Sequence, residues 1–282
     1  RLSRRAGQRF ESLEVLQRAA QLARTLDLPA DKFHELRNAV IATLALPDLY
    51  LAGPWNTYPA DTYSFDFDEA HAIYARTDRQ GNCSVRRVAD DAEIHRLKGL
   101  GAPAGPVLSR DGKFVAVTHF NSDQKAAVAV HVWQLDGLTP RRLLSEKQAG
   151  GVVFHPNAQQ LALVYKDGAI GLFELPSGRQ LRRLAPDTLT REVCIALHPS
   201  EPLVAVCSYF GSVVQLRDVR TGKVVASLPQ PARPNSVAWH PGGRTLAVGY
   251  GESTLIRLYD RTTLQPYRTL EGLQWGTALV FN

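Results

Sequence analysis

The chain has 282 residues, 44% of them hydrophobic and 21% charged, with a formal net charge of +6. Those proportions exclude a disordered or fibrous chain and leave room for one large domain or two smaller ones. No apolar run approaches the roughly 18–20 residues of a membrane span, and the N-terminus lacks the charged-then-apolar layout of a secretory signal.

The first residues read as helix. In residues 3–46, Phe10, Leu13, Leu16, Ala20, Ala23 and Leu26 recur at helical spacing up to Pro29. A second stripe of Phe33, Leu36, Val40 and Leu44 follows, with Asp31 as its expected N-cap and Pro47 as its stop. Residues 1–47 are therefore expected to form a helical hairpin and linker, and 48–282 a second, β-rich domain.

From there the chain repeats itself. Phe67, Leu108, Phe154, Leu197 and Trp239 are anchors spaced 41, 46, 43 and 42 residues apart. Eight residues after each stands an alanine: Ala75, Ala116, Ala162, Ala205 and Ala247. Gly81, Gly168 and Gly211 follow three of the anchors by fourteen residues, and His155-Pro156, His198-Pro199 and His240-Pro241 follow three directly. Within one copy, residues 151–155, 160–166, 169–175 and 179–184 are β-rich runs bounded by turn residues. Four strands in a repeat of about 40–45 residues describe a propeller blade. The alanines are expected where neighbouring blades pack closely. Phe281 continues the series, so "LQWGTALVFN" (residues 273–282) is expected to open a sixth blade. The lack of methionine and this end point to a piece of a longer protein with an incomplete ring.

These repeats resemble those of WD40 proteins, over roughly residues 62–282. The signature dipeptide is represented by Trp133-Gln134, Phe173-Glu174, Arg217-Asp218 and Tyr259-Asp260, and the usual opening Gly-His is missing. The resemblance implies a mainly β fold: a WD40-like β-propeller of five complete four-stranded blades plus a partial sixth. It also implies that "DLYLAGPWN" (residues 48–56) could close the ring as an added strand. A helical hairpin followed by degenerate blades further resembles the C-terminal region of large bacterial receptor-like Ser/Thr protein kinases. That implies a kinase elsewhere in the parent chain, since no Gly-rich loop, His-Arg-Asp or Asp-Phe-Gly motif occurs here.

Chemistry finds little foothold. Cys83, Cys194 and Cys207 have no metal-ligand spacing and fall in expected strands, where they read as small buried hydrophobes. The three histidines after the anchors would be spread around a ring, too far apart for zinc. "GLGAPAG" (residues 99–105) leads into a strand, so no helix N-terminus awaits a phosphate. Arg96, Arg142, Arg183 and Arg268 fall on fourth strands, where charge guards an exposed edge, and no basic run with interleaved aromatics suggests nucleic acid. A non-catalytic scaffold or sensor that binds a protein or peptide is expected, with no cofactor, metal, nucleic acid or small molecule. A propeller enzyme and a purely structural module are the alternatives. The expected contacts lie on the loop face: His119, Tyr165 and Tyr250, eleven residues after their anchors, with Arg191, Arg233 and Trp275 in the inter-blade loops. The loop in "HFNSDQKAA" is expected to project from that face.

Overall fold

The computed structural model describes residues 8–44, 59–121, 127–186, 193–208, 211–251, 255–271, 279 and 281. The chain divides into two compact units, Arg1–Pro59 and Ala60–Asn282.

The first unit is a helical hairpin of α1 (Gln8–Thr25) and α2 (Ala30–Leu44). Asp27 takes a positive φ of 49° while the Leu28 N–H donates to the Ala23 carbonyl at 3.0 Å. That left-handed ending frees the chain to reverse before Pro29. Most of the apolar stripe lies between the helices, half-buried at Leu13, Leu16, Phe33 and Leu36, whereas Leu26 and Leu44 at its ends are exposed. Asp31 is not the cap. Helix α2 begins at Ala30, and Asp31 sits in its first turn, where a carboxylate faces the positive end of the helix dipole.

The second unit is mainly β, with twenty strands among its described residues in five four-stranded antiparallel sheets, each a meander in chain order. Sheet one holds β1 (Thr62–Phe67), β2 (Ile73–Asp78), β3 (Cys83–Arg87) and β4 (Glu93–Leu97). Sheet two holds β5 (Ala104–Leu108), β6 (Phe114–Phe120), β7 (Ala127–Gln134) and β8 (Arg141–Lys147). Sheet three holds β9 (Ala149–Phe154), β10 (Gln160–Tyr165), β11 (Ile170–Glu174) and β12 (Gln180–Leu184). Sheet four holds β13 (Val193–Leu197), β14 (Leu203–Ser208), β15 (Val213–Asp218) and β16 (Val224–Pro229). Sheet five holds β17 (Pro234–Trp239), β18 (Thr245–Tyr250), β19 (Ile256–Asp260) and β20 (Pro266–Leu270). Each sheet packs on the next in chain order.

The repeat is exact in register. Every anchor ends a first strand, and every repeat alanine pairs with the residue just before its anchor: Ala75 with Asp66, Ala116 with Val107, Ala162 with Val153, Ala205 with Ala196, Ala247 with Ala238. The turn after each anchor closes with one recurrent bond, as in His155 N–H to Gln160 O (2.8 Å) and His198 N–H to Leu203 O (2.9 Å).

Side chains alternate across a strand, and this alternation builds the seams. The alanines face the following sheet: Ala75 joins Val115 and Val117, Ala162 joins Val204 and Val206, and Ala205 joins Leu246 and Val248. The residues on either side of each alanine face the preceding sheet. In sheets two to five these are Val115/Val117, Leu161/Leu163, Val204/Val206 and Leu246/Val248, each at most 2% exposed. Each such side chain contributes about 1.5–3 kcal/mol by leaving water, against about 0–1 kcal/mol for an exposed ion pair. Apolar seams therefore hold the stack. The fourth strands are the exposed edge, and Arg96, Arg142, Arg183 and Arg268 lie on them as expected.

Candidate functional site

Strand reversal brings the turns between second and third strands and the connections between sheets to the same end of every sheet. At that end stand the five residues eleven after the anchors: Asp78, His119, Tyr165, Ser208 and Tyr250. Asp78 shapes its own turn, accepting from the N–H groups of Gln80 and Asn82 at 2.9 Å each and from Asn82 Nδ2 at 2.8 Å.

Three of the side chains expected on an open rim are instead inside the seams. His119 is 2% exposed, Tyr165 8% and Tyr250 1%. The reason is parity: an offset of eleven shares the strand face of offsets seven and nine, so each side chain turns toward the preceding sheet. Tyr165 donates to Glu146 Oε2 at 2.8 Å, beneath the Arg183 guanidinium at 4.0 Å from its ring centroid. Gly171 makes room for that ring, since a Cβ there would lie 2.9 Å from it. Tyr250 and Tyr259 both donate to Gln230 Oε1, at 2.6 and 2.9 Å, while Gln230 Nε2 donates to the Leu228 carbonyl at 2.7 Å. Burial pushes both the Tyr165 and Tyr250 hydroxyls up, so neither ionises near neutrality. Arg233 is exposed at this end, as expected. Arg191, Trp275, residues 122–126 of the long loop and the segment 48–56 lie outside the described residues.

Sequence reasoning passed over the lysines. Arg79, Lys98, Lys147 and Lys166 are exposed at the same end, and none is in an ion pair among the described residues. Ion pairs stand at both ends: Arg183–Asp167 at 2.9 Å at this one, and Arg261–Glu201 at 2.7 Å, Arg87–Asp90 at 2.6 Å and Arg179–Glu174 at 3.1 Å at the opposite one.

Two of the histidines after the anchors, His155 and His198, tie sheets together. His198 Nε2–H donates to the Gly243 carbonyl of the next sheet at 2.9 Å, and its Nδ1 accepts from Glu201 N–H, also at 2.9 Å. Gly243 is required there: its φ is +73° and a Cβ would lie 2.7 Å from the imidazole. His155 Nε2 meets the His198 carbonyl at 3.1 Å in the seam before it. At the other end, the buried rings of His119 and His131 meet edge to face at 4.9 Å. Burial lowers His119 to about 4, with His131 second, and burial also lowers His131 and His198.

A pH dependence follows. Each ring stays neutral when folded and takes a proton near 6.5 once unfolded. The His119 contribution is therefore full above pH 6.5 and declines as pH falls toward 4, and those of His131 and His198 decline in the same direction below 6.5. Carboxylates held low, such as Asp78 and Asp167, lose theirs only below 3.8. Melting followed by circular dichroism is expected to drop across the histidine window, with His119→Gln flattening part of the slope. A wild-type melting temperature constant across that window refutes this reading.

No family model matches the chain. A stretch of 61 residues is 41% identical to the human nuclear pore complex protein Nup214, covering 21% of this chain and 3% of that protein.

Proposed function

We propose that the second unit is part of a WD40-like β-propeller and acts as a non-catalytic scaffold for a protein or peptide partner. The observation that carries this is the rim of Arg79, Lys98, Lys147 and Lys166, exposed and in no ion pair among the described residues, at the end where the turns and connections open. Ammonium and guanidinium groups spaced over successive sheets suit a polypeptide segment bearing several carboxylates, because electrostatic complementarity sets orientation and encounter rate. Repeats supply such a surface without altering the packing beneath. The buried tyrosines and His119 fix the shape of the sheet ends and leave contact to the cations and to Arg233.

The test is fluorescence anisotropy with a labelled glutamate-rich peptide. Wild type is expected to bind with an affinity that falls as salt rises. Lys147→Glu with Lys166→Glu is expected to weaken binding about tenfold, or ~1.4 kcal/mol. Equal affinity for a lysine-rich control peptide, or tighter capture of an oligonucleotide of equal charge, overturns the proposal. The parent chain as a receptor-like bacterial kinase rests on the order of hairpin then blades. Sequencing the gene upstream of residue 1 tests it, and a reading frame without a kinase domain rejects it.

A further inference from the structure

A hydrogen bond recurs between successive sheets at the cation-rimmed end. Thr77 Oγ1 donates to the Ala104 carbonyl, and Thr118 Oγ1 to the Gly150 carbonyl at 3.2 Å. Both acceptors lie four residues before the anchor of the following sheet, and both threonines lie ten after their own anchor. In sheet four the residue ten after the anchor is Cys207, and the bond to the matching carbonyl, Asn235 O, comes from Cys194 Sγ at 2.9 Å. Cys194 of β13 and Cys207 of β14 are direct cross-strand partners, as Ser64 and Thr77 are in sheet one. A thiol pair thus occupies a place that a hydroxyl fills elsewhere.

We propose that Cys194 and Cys207 are a dithiol modification site, closing to an intrachain disulfide when a hydroperoxide reaches Cys194. Directly opposed antiparallel residues have Cα atoms about 4.5–5.5 Å apart, inside the window of about 4.4–6.8 Å that a disulfide requires. Both side chains point to the same sheet face, as direct partners must. Access is unequal: Cys194 is partly exposed, whereas Cys207 is fully buried and packs in the seam with Val214 and Leu216. The Cys194 side chain, together with burial, pushes the Cys207 thiol up, so Cys207 keeps its proton and Cys194 attacks first. The Cys194 sulfur takes one peroxide oxygen, the O–O bond breaks, and the alcohol or water leaves with the thiol proton. The Cys207 sulfur then displaces hydroxide from the resulting sulfenic acid, and its proton completes a water molecule. Two thiols are oxidised and one peroxide is reduced. Closure removes the S–H donor from the Asn235 carbonyl, so oxidation loosens the bond between sheets four and five.

The folded chain treated with hydrogen peroxide is read by mass spectrometry of the tryptic peptide spanning residues 192–217, which holds both sulfurs without an internal cleavage site. The expected product is lighter by two hydrogens, is restored by dithiothreitol, and leaves Cys83 titratable. In Cys207→Ser, Cys194 is expected to stop at the sulfenic acid and be trapped by dimedone. Cys194→Ser, whose hydroxyl can replace the donor to Asn235, is expected to resist peroxide and keep the wild-type melting temperature. Oxygen adducts on wild-type Cys194 without linkage, a disulfide between two chains, or unreacted thiols overturn the proposal.

Discussion

Replacing Tyr250 by alanine is expected to destabilise the second unit by about 3–5 kcal/mol, the range for truncating a buried aromatic side chain. The ring is 1% exposed and packs with Trp239, Leu246 and Val248 in the seam between sheets four and five. Its hydroxyl shares Gln230 Oε1 with Tyr259, so truncation also strips one of two donors from a buried amide oxygen. For a unit of this size the loss corresponds to a fall of roughly 10 °C in melting temperature. Tyr250→Phe separates the contributions: the ring stays, one hydrogen bond goes, and the expected cost is about 1 kcal/mol. If Tyr250→Ala melts like wild type, the ring does not occupy this seam and the rim placement regains its force.

The repeat was legible because it is one-dimensional. A fixed offset from anchor to alanine needs no knowledge of neighbours, and in every sheet the anchor ends the first strand and the alanine lies in the second. The strands expected at 160–166 and 169–175 are β10 (Gln160–Tyr165) and β11 (Ile170–Glu174). The side-chain assignments failed where the same offsets were read without parity. Once Ala162 is known to face the following sheet, Tyr165, three positions on, must face the preceding one. That deduction was available from alternation alone, and polarity at the strand end obscured it.

Other features depend on meetings that no single repeat encodes. His198 reaches Gly243 across 45 residues of chain, and Arg217 Nη2 donates to the Ala185 carbonyl at 2.9 Å across 32. Arg217 is 5% exposed and bridges sheets four and three. The rim cations escaped notice because Lys98, Lys147 and Lys166 sit at unrelated offsets, and only the shared end of the sheets gathers them.

Ala162→Phe is expected to cost about 1–3 kcal/mol or more, because a phenyl ring must enter a seam with no room for it. Ala162 is fully buried and faces Val204 and Val206 of sheet four, beside Leu172 and Ile170 of its own sheet. Leu181→Phe supplies the comparison: Leu181 lies on the outer strand β12 and is 38% exposed, so its replacement is expected to change stability by less than about 0.5 kcal/mol. In a stack where each sheet packs mainly on its neighbours, the damage should also be local. Hydrogen exchange is expected to show faster amides in β10 and β14, flanking the overpacked seam, while β2 and β6 at the first seam keep their protection. Uniform loss across all five sheets would mean that the seams melt as one cooperative unit. Equal stability of Ala162→Phe and Leu181→Phe would mean that the alanine faces open space, and the stacking of sheet three on sheet four would fall with it.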